Sequence, residues 1–103
     1  MSGFDNLSET TRTVAVTGPV LLSDYDVLVL GATGAVNLTL PAANTMPPGR
    51  TFRIYKDAAA FAVTITPASG LIDAAATKTL AASAVHACII VTDGTNWYST
   101  ASY

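Results

Sequence analysis

Charge is scarce in this sequence. Lys, Arg, Asp and Glu make up 12% of its 103 residues, about half the share of an average globular chain. The formal net charge is −2. That excludes electrostatic capture of nucleic acid or of an anionic membrane surface, both of which need a basic patch. Cysteine occurs once and histidine once. No internal disulfide can form, so folding in a reducing cytoplasm is expected. A structural zinc site needs about four ligands, mostly Cys and His, so no metal and no other cofactor is expected. No apolar run approaches the ~20 residues of a membrane span. The opening residues, Met1 to Asn6, lack the basic and apolar regions of a signal peptide. Helical periodicity is missing too, because the many alanines fall in short runs broken by Gly, Pro and Thr. No strand, glycine-rich loop and helix follow one another, which excludes a phosphate cradle of that type.

What is present is β chemistry. Hydrophobic residues reach 50%. Val85 to Val91 is a dense apolar run that leads into Asp93-Gly94-Thr95-Asn96 and then Trp97-Tyr98. This predicts a buried strand, a tight hairpin turn and a second strand. The apolar density places Val85–Val91 at the centre of the fold, with Trp97 beside it. Further strands are expected at 11–17, 26–30, 35–40, 51–56 and 62–66, with short ones at 71–72 and 78–80. Gly18-Pro19 ends the first, and Val20 to Leu22 pair weakly. Residues 41–50, with three prolines, form a stiff extended loop. Alternation assigns Val36, Leu38, Leu40, Phe52, Ile54, Val63 and Ile65 to the core, together with Ile89, Ile90, Val91 and Trp97. Arg53 and Tyr55 point outward. Turn signals every 8 to 12 residues or so indicate an all-β fold, an antiparallel β-sandwich or small barrel. The division is an N-terminal arm, 1–10, and one β domain, 11–103.

Several segments resemble a module of tailed-bacteriophage virion proteins, namely head fibres, tail fibres and capsid decoration proteins. They are Asp24 to Leu30, Ala35 to Ala43, Gly49 to Lys56, Val63 to Pro67 and Ile90 to Tyr98, with the Leu-Pro-Ala-Ala and Asp-Gly-Thr-Asn-Trp-Tyr steps carrying most of the likeness. The resemblance implies a β-rich, jelly-roll-like, commonly trimeric module on a virion surface. It offers no catalytic residues. It also implies a major capsid protein of a tailed phage as partner, and a place on the capsid surface after synthesis in the host cytoplasm. The sequence adds its own reason for a homotrimer: low charge and short strands would leave open edges on a monomer.

The candidate sites have bland readings beside the functional ones. Cys88 and His86 share a strand face; Cys88 is read as packing, and His86 as a residue that could meet its symmetry mates in a trimer. Asp24 and Asp26 also share a face and are read as turn residues rather than calcium ligands. Tyr25, Tyr55, Trp97, Tyr98 and Tyr103 could make a platform for sugar rings, so a host glycan is the alternative partner, although core packing accounts for them as well. Capsid docking is assigned to the N-terminal segment, with Phe4 as apolar anchor beside Asp5, Glu9 and Arg12. The alternative patch is the 41–50 loop with Pro47, Pro48 and Arg50. The expected function is therefore a non-enzymatic capsid decoration or head-fibre protein, with a tail-fibre-type or carbohydrate-binding module as the alternative.

Overall fold

A computed structural model describes residues Thr10–Ser102. They form nine strands: β1 (Thr10–Val14), β2 (Gly18–Pro19), β3 (Asp24–Val29), β4 (Val36–Leu40), β5 (Thr51–Lys56), β6 (Val63–Pro67), β7 (Lys78–Leu80), β8 (His86–Thr92) and β9 (Trp97–Ser102). One short 3-10 turn, Ala43–Thr45, interrupts the loop expected to be wholly extended. Its Thr45 hydroxyl donates to the Ala42 carbonyl at 2.6 Å.

The strands make two sheets, a five-stranded one ordered β1-β3-β5-β8-β9 and a four-stranded one ordered β2-β4-β6-β7. From β1 to β6 the chain changes sheet at every strand. Neighbours β1, β3 and β5 therefore run parallel, as do β2, β4 and β6. Parallel pairing demands a long crossover. Here the crossover is a strand of the other sheet with its two loops, so the chain winds as a short stack of coils. The pattern then changes. β7 pairs antiparallel with β6, β8 with β5, and β9 with β8.

This corrects the antiparallel expectation: the fold is all-β, with two mixed sheets. Alternation of side chains is the same in parallel and antiparallel strands, so it carried no information on direction. The expected central position of the 85–91 run is corrected as well. β5 is the middle strand of its sheet and β8 lies beside it. Val85 is exposed, and Ile89 and Val91 are only half-buried, on the face opposite Cys88, Ile90 and Thr92. Gly18-Pro19 also departs from its reading as a strand stop, since it pairs with Leu38 and Thr39.

The inward faces of both sheets meet in one hydrophobic cluster. Val27, Val29, Phe52, Ile54, Cys88, Ile90 and Trp97 enter it from the five-stranded sheet, and Val36, Leu38, Leu40, Val63, Ile65 and Leu80 from the other. Parallel register stacks like on like, with Val36 beside Val63 and Leu38 beside Ile65. Trp97 is fully buried, its ring 5.7 Å from that of Phe52. One cation joins this interior. Lys56 follows Ile54 on the inward side and is 1% exposed. Its ammonium donates to the carbonyls of Asp57 (2.7 Å), Ala59 (3.2 Å) and Ala84 (3.0 Å). Three acceptors replace the water lost on burial, which is what allows a lysine there. The same contacts tie the 57–59 loop to the 81–84 loop.

Candidate functional site

The ends of the strands define two ends of the molecule. At one, β3 and β5 begin and β4, β6 and β8 finish. Four loops meet there: 20–23, 41–50, 68–71 and 93–96.

Asp24 organises this end. It is 1% exposed, and a buried carboxylate needs several donors. Arg12 supplies them: Nε lies 3.1 Å from both carboxylate oxygens and Nη2 2.9 Å from one. The Leu21 N–H donates to the same carboxylate at 2.8 Å. Arg12 also reaches the Pro19 carbonyl at 2.8 Å. Arg50 approaches from the other side and donates to the backbone carbonyls of Leu22, Asp24 and Thr51. Its guanidinium lies 4.1 Å from the centre of the Phe52 ring, a cation–π contact. Arg12 and Arg50, assigned by sequence to two alternative docking patches, thus share one residue, Asp24. One holds its side chain and the other its carbonyl.

The 41–50 loop is stapled to the 93–96 turn. The Gly49 N–H donates to the Thr92 carbonyl at 2.7 Å and the Thr92 N–H to the Arg50 carbonyl at 3.1 Å. Asp93 accepts the N–H groups of Thr95 and Asn96, each at 2.9 Å. Gly94 has φ +95° and lies against Pro48, so a side chain there would be strained and crowded. The Asp93 carboxyl is held below the usual range, first by the Asn96 and then by the Thr95 N–H.

Of the predicted docking residues, Pro47 and Pro48 are exposed at this end. Arg12 and Arg50 are engaged with internal partners. Phe4, Asp5 and Glu9 lie outside the described residues, as does Tyr103. Sequence reasoning missed Leu22, 65% exposed, and Leu71, 45% exposed, in loops at the same end. Their signal was available: large apolar residues in a segment without strand alternation.

The remaining candidates separate rather than converge. Asp24 and Asp26 do not share surroundings. The ladder is irregular between Thr10 and Thr11, and Asp26 instead meets Arg53 on the outward face, Oδ1 to Nε at 2.6 Å. That hydrogen bond holds the Asp26 carboxyl below its ordinary range. Arg53 also lies 4.9 Å from the centre of the Tyr25 ring. Cys88 is buried, and burial pushes its thiol up to about 11, away from the thiolate a nucleophile needs. His86 is half-buried, on the Cys88 side of β8 and opposite Lys56 in the ladder. Among the described residues, no group of three or more His, Cys, Asp or Glu could hold a metal ion. Trp97 is inside, Tyr55 half-buried, and Tyr98 exposed with its hydroxyl donating to Asp93 at 3.2 Å.

One further surface stands out. On the outward face of the five-stranded sheet, a groove of about 280 Å³ is lined chiefly by Leu28, Tyr55, Ala87, Ile89 and Ala101, with Asp26 and Arg53 at its rim.

Compared with known proteins, the chain matches no family model and no curated protein.

Proposed function

We propose that the chain is a non-enzymatic structural protein of a tailed-phage virion, a β-sandwich-like block that assembles as a homotrimer and decorates the outer capsid surface. The observation that carries this reading is the use made of charge. Each charged side chain among the described residues has an intramolecular partner. Arg12 holds Asp24, Arg53 holds Asp26, Lys78 lies 3.8 Å from Asp73, Arg50 and Lys56 hold carbonyls, and Asp57 and Asp93 hold loop N–H groups. A catalytic site keeps titratable groups poised for substrate. A scaffold spends them on holding its loops, as here.

Docking is assigned to the Asp24 end, where rigidly held loops present Pro47, Pro48, Leu22 and Leu71. Pre-ordered apolar groups lose little entropy on binding, and threefold repetition multiplies a weak contact into avidity. The test is co-sedimentation of the purified protein with undecorated phage capsids. Binding of the intact protein, reduced by Leu22→Asp or Pro48→Asp, supports the reading. Binding unaffected by either change, but lost on deleting residues 2–9, moves the docking site to the N-terminal segment. No binding to capsids, with retention on host-surface polysaccharide, replaces the reading with a carbohydrate-binding module.

A further inference from the structure

We propose that Asp93-Gly94 is a site of spontaneous backbone isomerisation that the folded β8–β9 turn holds closed, so that isoaspartate forms there when the turn opens. The site stands apart from the decoration reading above; only its effect on docking rests on that reading.

The reaction needs an aspartyl carboxyl followed by an unhindered amide nitrogen. Asp93 is the one aspartate in the sequence that precedes a glycine, and no asparagine does. The Gly94 nitrogen attacks Cγ of Asp93. A C–N bond forms, the nitrogen gives up its proton and the carboxyl its hydroxyl, so a water leaves and a five-membered imide remains. Water then adds back at either carbonyl. Opening at Cγ restores aspartate. Opening at the former main-chain carbonyl leaves the chain running through Cβ and Cγ. Atoms and charge balance, and water is the sole co-reactant. The fold itself requires this pair here. Gly94 takes φ +95°, a conformation that favours glycine, and Asp93 caps the turn as Asp commonly does.

The same turn ties down both reactants. The Gly94 N–H donates to Thr92 Oγ1 at 3.0 Å, and that hydroxyl donates onward to the Asn96 carbonyl at 2.8 Å. The attacking nitrogen therefore keeps its proton against a fixed acceptor. The Asp93 carboxylate is engaged elsewhere. Oδ1 accepts the Thr95 and Asn96 N–H groups, each at 2.9 Å, and Oδ2 the Tyr98 hydroxyl at 3.2 Å. Those donors also favour the ionised carboxyl, which cannot shed its hydroxyl as water. Asp93 is exposed, so water reaches it; the folded turn withholds freedom to react, not solvent.

Isomerisation inserts a methylene into the main chain and moves the carboxylate off the Thr95 and Asn96 N–H groups. Thr92, the preceding residue, carries both backbone hydrogen bonds that staple the 41–50 loop, and Gly94 lies against Pro48. The rearranged turn releases that loop, so each copy that isomerises loses its docking end irreversibly.

The intact protein is incubated at neutral pH, folded or in guanidinium chloride, and isoaspartate at position 93 is measured by peptide mass spectrometry and enzymatic methylation. It should accumulate in denaturant, and about tenfold or more slowly in the folded protein, where reaction waits on local opening. Thr92→Val should speed the folded reaction by about 2–10-fold, the shift in opening expected for one lost hydrogen bond, and leave the rate in denaturant unchanged. Thr92→Ser, which keeps the hydroxyl, should match wild type. Where Thr92→Val fails to fold, Tyr98→Phe at the exposed rim should still raise the folded rate, by about twofold. Equal rates in the folded and denatured protein overturn the proposal, as does a folded Thr92→Val, or in its place Tyr98→Phe, that reacts at the wild-type rate. Capsid co-sedimentation is read separately. Isomerised protein should bind less than fresh protein, and equal binding overturns the link to docking. Fresh protein that ignores capsids removes the decoration reading and leaves the modification site standing.

Discussion

The two sheets bury their inner faces in the same cluster and treat their outer faces differently. On the four-stranded sheet, alternation of apolar and polar residues gives one dry face and one wet one along β4, which reads Val-Asn-Leu-Thr-Leu. On the five-stranded sheet, β8 reads His-Ala-Cys-Ile-Ile-Val-Thr, apolar on both sides. Strands that are apolar on both sides belong where both faces are covered. The difference teaches that the apolar density of 85–91 describes two surfaces, one buried in the shared core and one half-buried on the outward face.

The comparison breaks at its root if the sheets do not share a core. Trp97→Ala tests this and should have the largest effect, about 3–5 kcal/mol. Trp97 and Phe52 stand on the five-stranded sheet, yet loss of the indole should bring both sheets down in a single thermal transition. Two separated transitions would show two independent layers.

Lys56→Met comes next, at about 1–3 kcal/mol, because three part-buried carbonyls lose their donor. The damage should concentrate at the end where loops 57–59 and 81–84 meet. Hydrogen exchange there should quicken before exchange at the Asp24 end; uniform acceleration would mean that the lysine holds no particular loops.

Acidification should follow, and it sharpens the contrast between faces. The Asp26 carboxyl is depressed chiefly by the Arg53 hydrogen bond, and that of Asp57 first by the Gly31 N–H and then by the Ala59 N–H. Carboxyls depressed on folding contribute stability above their unfolded value, near 3.9, and that contribution is lost as pH falls through the folded value. The melting temperature should therefore be flat through neutrality and fall below about pH 4. Asp26→Asn should lower the melting temperature slightly already at neutral pH, because the Arg53 ion pair is lost. A melting temperature as high at pH 3.5 as at pH 7 would show that these carboxyls contribute no stability.

The smallest effect is expected on the wet face. Thr64→Val or Thr39→Val should change stability by less than about 0.5 kcal/mol, as surface substitutions away from special features do. A loss of several times that size would give the hydroxyl face a role of its own.

Much of this was legible in the residues. Alternation located β4, β5 and β6 and their inward residues, because a half-buried strand must place apolar groups at every second position. Asp93-Gly94 marked the turn that joins β8 to β9, since Gly94 takes the positive φ required there. The candidate site was legible only in pieces. Arg12, Asp24 and Arg50 each stood out, but Arg12 and Arg50 are 38 positions apart, and no local rule joins them.

Local chemistry by itself determined that the chain makes strands, where they turn and which residues are buried in most of them. Tertiary structure alone decided strand direction and partners, because side-chain period is the same for parallel and antiparallel pairs. It decided that Lys56 points inward, because only the folded loops bring the Ala84 carbonyl to its ammonium. It also turned Ile89 and Val91 outward. A run of apolar residues can fill either face of a sheet, and only the neighbours brought by folding fix which face becomes the interior.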